Sequence, residues 1–352
     1  MDVKTPALAA LLLSMIAVTG CNSSDPAEAG AIASAPPQRS AVERSTLRET
    51  AIEELEEAAF SEFAILRANG LEGLQPARSR AEPIARAALV DENIGVRFTG
   101  AMTVGKLRLR QSAELARPLL DDPDVSVRIA AIFALAANNV DVDQSPLGDA
   151  LLDGTPRARL HAAFVLGELG NESAIPLLRE ASRRAQVGSG MPLPPAQQRL
   201  LRLQIAEALV KLGETNAGDT LRAALYPSAI EELEASVMAA QSLGEVGDES
   251  AVAELIQLLE ARRMDSDEPL YPVELRLAAA TAVAKLGYPD GSYVGWDVEA
   301  DESEVIRAQV AFLYGATGGP DDVTRLERML REDESPLVRV AAAASILQAL
   351  ES

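Results

Sequence analysis

Cysteine is nearly missing from this sequence. Cys21 is the only one in 352 residues, which excludes an internal disulfide and any cysteine-based metal site. Histidine is equally scarce, with His161 alone, so the two-histidine helix of metalloproteases cannot form. Aromatic residues make up only 3% of the chain, too few for one thick core and better suited to small-residue helices packed in a row. Basic charge is short as well. Thirty-two Lys and Arg face 53 carboxylates, a net charge of −21. That balance excludes nucleic acid, whose phosphates need a basic surface, and anionic headgroups should repel it. Lysine occurs only at 4, 106, 211 and 285, so an acidic, Lys-poor surface suits either a salty habitat or a cationic partner. Beyond the first twenty residues no apolar run is long enough to span a bilayer. Nor is there an HExxH, CxxC, GxSxG or phosphate-loop spacing, and Asp141-Val-Asp143-Gln lacks the Gly and Glu of a calcium loop. These absences lead to an expectation of no metal, no cofactor and no enzymatic activity. His161, at position 2 of its helix, reads as a helix-surface histidine.

What is present begins with residues 1–21, MDVKTPALAALLLSMIAVTGC. Lys4 precedes twelve mostly apolar residues, Ala7 to Val18. That run is too short for a transmembrane helix, which needs roughly 17–25 residues, but fits the core of an export signal. The segment ends in Val18-Thr19-Gly20-Cys21, which resembles the lipobox of bacterial lipoproteins. The resemblance implies cleavage before Cys21 and acylation of Cys21, with residues 1–20 removed. Asn22 in place of Asp then implies the outer membrane, facing the periplasm. Residues 21–41 carry Ser, Ala, Pro and Gly without an apolar period and read as a flexible tether. Its root-mean-square span is about 25 Å.

From residue 42 onward one phrase recurs. It appears as VRFTGAMTVGKLR from Val96, VRIAAIFALAANN from Val127, ARLHAAFVLGELG from Ala158 and LRLQIAEALVKLG from Leu201, and again as ASVMAAQSLGEVG from Ala235, LRLAAATAVAKLG from Leu275, IRAQVAFLYGATG from Ile306 and VRVAAAASILQAL from Val338. Its Arg stands at 97, 128, 159, 202, 276, 307 and 339, with Ser236 in the odd copy, at spacings of 31, 31, 43, 34, 40, 31 and 32. With the Arg as position zero, apolar residues at −1, 3, 7 and often 10 give the stripe of a buried helix. Four residues earlier stand Asn93, Asp124, Thr155, Ser303 and Ser335, all good N-caps. Gly170, Gly213, Gly247, Gly287 and Gly318 sit where a left-handed cap ends a helix. A second, Leu-richer helix lies between copies, as in AVAELIQLLEARR from Ala251.

Two helices per unit, repeated, make an α-solenoid. The phrase resembles HEAT repeats, particularly the short kind named after phycobilisome lyases. The fold expected for residues 42–352 is therefore all-α, a right-handed α-solenoid of about eight HEAT-like helix pairs. Residues 41–69, with SRAEPIARAALVD after them, should form an atypical capping first pair, and the far end, which stops at Leu350 without a polar cap, should meet a partner or a second copy. Asp91, Asp122, Asp153, Asp301 and Asp333 stand six residues before Arg97, Arg128, Arg159, Arg307 and Arg339. The resemblance implies that these form a hydrogen-bonded ladder along the stack, interrupted at the copies around Arg202, Ser236 and Arg276. Two insertions, 185–197 and 264–272, break the repeat. Tyr293 and Trp296 read as core.

Positions 1 and 5 of the phrase helix lie roughly opposite the buried stripe. In HEAT solenoids that side is concave. The first three copies place Phe98, Met102, Ile129, Phe133, Leu160 and Phe164 there, either as an apolar groove for a protein partner or as side chains buried between units. The expected function is a lipid-anchored envelope scaffold or adaptor. The alternatives are a binding module for a small or polymeric periplasmic ligand, and a lyase-like enzyme related to phycobilisome lyases.

Overall fold

A computed structural model describes residues 39–187 and 193–351. The lipobox, Cys21 and nearly all of the expected tether lie outside the described residues, as does part of the first insertion.

The described residues fold as an all-α solenoid of nine helix pairs. The outer helices of units 1 to 4 are Ala41–Ala59, Arg78–Ala88, the 3-10 helix Ala113–Asp121 and Ser145–Asp153. Units 5 to 9 continue with Ile175–Val187, Gly218–Ala223, Val252–Glu260, Tyr293–Trp296 and Pro320–Glu332. The inner helices are Ala64–Gly73, Ile94–Lys106, Val125–Ala137, Pro156–Leu169 and Pro195–Lys211, then Leu233–Glu245, Val273–Lys285, Glu304–Thr317 and Pro336–Glu351. Each inner helix packs on its own outer helix and on the inner helices before and after it.

Start and stop signals act locally. Asn93, Asp124 and Thr155 accept backbone N–H bonds in the first turns of their helices. All five cap glycines have φ between 63° and 93°, a left-handed backbone that costs glycine little. Ser40 and Glu43 form a reciprocal capping box on the first helix, which starts at Ala41.

The unit count exceeds the expectation because residues 41–69 are not one helix. A turn at Phe60–Phe63 splits the stretch, and Ala64–Gly73 is an inner helix with its own Arg, Arg67. This copy escapes notice in the sequence because Phe63 replaces the capping residue and Gly70 and Gly73 replace alanines.

The two ends cap each other, which overturns the expectation of a free end at Leu350. The last helix packs against both helices of unit 1. Arg339 reaches Glu54 at 3.0 Å, Arg44 the Leu350 carbonyl at 3.2 Å, and Arg39 Glu327 at 2.6 Å. A Cβ on Gly73 would lie 3.0 Å from that of Ala344. The solenoid is a closed ring.

The inner helices approach in twos. Position 8 is glycine in units 2, 4, 6 and 8: Gly105, Gly167, Gly244 and Gly315. A Cβ on Gly167 would fall 2.9 Å from the Cα of Ala208, and one on Gly244 2.9 Å from that of Ala282. Gly167, Gly244 and Gly315 let their units press onto the backbone of the next odd one, and Gly105 makes room for the Phe133 ring.

Candidate functional site

The Arg at position zero makes the same pair of contacts in units 1, 2 and 8. Arg97 donates to the carbonyls of Asp91 and Glu92 in its own turn at 2.9 and 3.0 Å, and to both carboxylate oxygens of Asp122 in the next unit at 2.8 and 3.2 Å. Arg67 with Asp91 and Arg307 with Asp333 repeat the two-oxygen pairing. An Arg and the Asp six residues before it are therefore not a side-chain pair. The Arg takes that residue's carbonyl, and the carboxylate takes the Arg of the previous unit while bonding the N–H two residues on. Arg128 keeps its carbonyl bonds to Asp122 and Pro123 but not a carboxylate, since Asp153 is exposed and lies 3.9 Å from Arg184 instead. Arg159 holds only the Gly154 carbonyl, and Arg276 has a buried, unsatisfied Nε. Arg339 carries the series across the seam to Glu54.

The apolar strip does not stand open. Met102, Ile129 and Phe133 are 5%, 2% and 2% exposed, while Phe98, Leu160 and Phe164 are half-buried against the same core. The ring curves tightly enough for inner faces of non-neighbouring units to meet. Phe98 stacks on His161 with ring centroids 4.5 Å apart, linking units 2 and 4. His161 is thus an interior residue rather than a surface one, its pKa lowered to about 4 by burial and by Arg157. Trp296 departs from its core reading too: it is 52% exposed, with the Arg325 guanidinium 5.5 Å from its ring.

Where the inner helices of units 2 to 6 end, a cavity of about 340 Å³ opens. Phe133 and Phe164 form part of its wall, with Lys106, Arg108, Asn139, Glu168, Glu207, Lys211 and Glu245. Lys106, Glu168, Lys211, Glu245 and Lys285 all occupy position 9 of their helices, so one turn of the repeat assembles them. The Lys211 ammonium bridges Glu168 at 2.6 Å and Glu207 at 2.7 Å, and the Ser242 hydroxyl donates to the second oxygen of Glu207 at 2.7 Å. Burial alone would lower the Lys211 ammonium, but these two carboxylates hold it well above its usual range. Lys285 pairs with Glu245. Lys106 and Lys211 both lie over the Phe164 ring, 5.5 and 5.3 Å from its centroid. Glu72, at position 5 of unit 1, is buried and its carboxyl is pushed up to about 7 by desolvation, with Lys106 acting in opposition. The sequence reading missed all of this. Its usable signal was that three of only four lysines share one repeat position.

Among the described residues no three His, Cys, Asp or Glu side chains lie close enough together to hold a metal ion. No helix among them is long and apolar enough to cross a membrane.

Fold and repeat chemistry together define a HEAT-repeat solenoid. The family model for HEAT repeats matches residues 49–136, and that for the PBS lyase HEAT-like repeat matches residues 158–184 and 237–261. A curated relative, a deoxyhypusine hydroxylase of Eremothecium gossypii, is 24% identical over 258 residues, covering 64% of this chain and 76% of its own length. Solved structures similar to the chain include the complex of CpcE and CpcF of phycocyanin lyase from Nostoc sp. PCC7120, with a TM-score of 0.41, 20% identity and coverage of 84% of this chain and 98% of that one. Human deoxyhypusine hydroxylase in complex with glycerol has a TM-score of 0.37, 14% identity and coverage of 88% and 99%. The expectation of a chain without enzymatic activity is corrected at this point. The curated relative is itself an enzyme, so missing familiar catalytic spacings does not support a non-enzyme.

Proposed function

We propose that this chain is a lipid-anchored envelope protein that holds a small ligand in the cavity where units 2 to 6 converge. The cavity carries the reading: about 340 Å³, at the lower end of small-molecule sites, walled by two phenylalanines and a row of position-9 charges. The filled interior of the ring argues against an extended chain in a concave groove. A protein partner of the adaptor kind would dock on the outer helices or at the mouths of the ring. The Val18-Thr19-Gly20-Cys21 sequence supports acylation at Cys21, and Asn22 supports an outer-membrane, periplasm-facing address. Native mass spectrometry of the protein purified from its own cells tests the reading. The wild type should carry an added mass that Ala137→Trp, at the cavity wall, removes. Equal spectra for the two proteins would refute it.

The match to deoxyhypusine hydroxylase favours a second reading, in which the same cavity transforms its ligand instead of only holding it. Incubating the purified protein with the co-purifying molecule and following that molecule's mass over time tests this. An unchanged mass under all supplied co-reactants counts against it.

A further inference from the structure

Every carboxylate in the cavity wall is already engaged. Glu168 and Glu207 share Lys211, Glu207 also takes the Ser242 hydroxyl, and Glu245 has Lys285. Two cations of the same wall are not engaged in this way. Among the described residues neither Lys106 nor Arg108 has a carboxylate within ion-pair distance, although the chain as a whole carries 21 more negative than positive charges. Lys106 acts on the carboxyl of Glu72, which burial nevertheless pushes up to about 7.

The backbone supplies a second, independent observation. Position 11 is the left-handed cap of the inner helix and is glycine in units 4 to 8. In units 2 and 3 it is Arg108, with φ of 47°, and Asn139, with φ of 60°. Asparagine tolerates this region, but arginine does not do so readily. Both residues line the cavity, and neither is needed to close its helix, since glycine does that elsewhere in the chain. Backbone strain of this kind collects where a side chain is wanted in one place.

We propose, building on the cavity reading above, that the ligand is a small organic anion, a carboxylate or a phosphate ester. Its charged group lies between Lys106 and Arg108, and the Asn139 side chain lies beside it. Lys106 supplies the point charge, and Arg108 supplies a planar fork suited to either group.

Calorimetric titration of the full chain with succinate and with glycerol phosphate tests this, with cadaverine as the cationic control. At least one anion should bind, and which one does tells a carboxylate from a phosphate ligand. Lys106→Gln should weaken it tenfold or more, and Lys106→Arg should restore part of the loss. Arg108→Gly should also weaken it while leaving the melting temperature equal or higher, because glycine relieves the left-handed backbone. Undiminished anion binding by Lys106→Gln overturns the proposal. So does cadaverine binding that is lost in Glu207→Gln while both anions fail, although the cavity reading then survives. If no probe binds and native mass spectrometry shows no added mass, both the anion assignment and the cavity reading fall.

Discussion

Glu72 gives the sharpest test of the folded interior. The residue is 9% exposed, and burial, which disfavours its charge, pushes its carboxyl up from 4.5 to about 7. Between pH 4.5 and 7 the folded chain holds this proton and the unfolded chain does not. Stability therefore falls as pH rises through that window and is level above it. At 1.36 kcal/mol per pKa unit, the shift corresponds to about 3 kcal/mol lost by pH 8. Glutamine keeps the shape and neutrality of the protonated acid, so Glu72→Gln should match wild type near pH 4 and exceed it by as much as ~3 kcal/mol at pH 8. His161 works in the opposite direction. Its folded pKa of about 4 lies below the usual 6.5, so its contribution is fully present above pH 6.5 and is lost as pH falls towards 4. In the wild type the two slopes oppose each other between pH 4.5 and 6.5, and Glu72→Gln should expose the rising limb set by His161. Urea denaturation followed by circular dichroism at half-unit pH steps measures the difference, with other titrating groups cancelling between variant and wild type. A variant whose advantage is the same at pH 5 and pH 8 would refute the reasoning.

The remaining predictions concern the ladder, the packing and the anchor. Arg97→Ala strands Asp122, whose side chain is only 5% exposed, and should cost about 3–5 kcal/mol. Arg128→Ala loses two carbonyl bonds without stranding a carboxylate and should cost about 1–2 kcal/mol; equal urea midpoints would contradict the geometry. Gly244→Ala forces a Cβ to 2.9 Å from the Ala282 backbone and should lose roughly 1–3 kcal/mol, read from the same midpoints. Cys21→Ser should abolish incorporation of labelled fatty acid, and label in the mutant would remove the anchor.

The repeat was legible because its determinants are local. An Arg, a stripe of apolar residues, a capping residue and a terminal glycine return at a regular interval, so helix pairs and their stacking direction follow from short stretches. Unit 1 was not, since Phe63, Gly70 and Gly73 disguise a phrase that only its Arg67 contacts reveal. Closure was not legible either. Arg339 with Glu54 and Gly73 beside Ala344 join residues some 270 to 285 positions apart, and no period within a unit encodes the total turn of all nine. The same accumulated curvature decides between the two readings of Met102, Ile129 and Phe133, in favour of burial between units. It also brought Lys106, Glu168 and Lys211 together from three separate units. Nothing within a single phrase sets any of those charges apart from the many others of the chain.

Closure changes how the stack can come apart. In an open row of repeats the end units touch one neighbour each, and unfolding starts there because only one interface must break. Here unit 1 and unit 9 lean on each other, so every unit has two neighbours and fraying has no preferred place to begin. Removing any single unit must break two interfaces, which ties local opening to loss of the whole ring. Amide exchange in the inner helices should then be governed by one common opening event rather than by a gradient of protection from the ends to the middle. Folding meets the converse demand: the joint between residues near 50 and residues near 340 can form only after the intervening chain is in place.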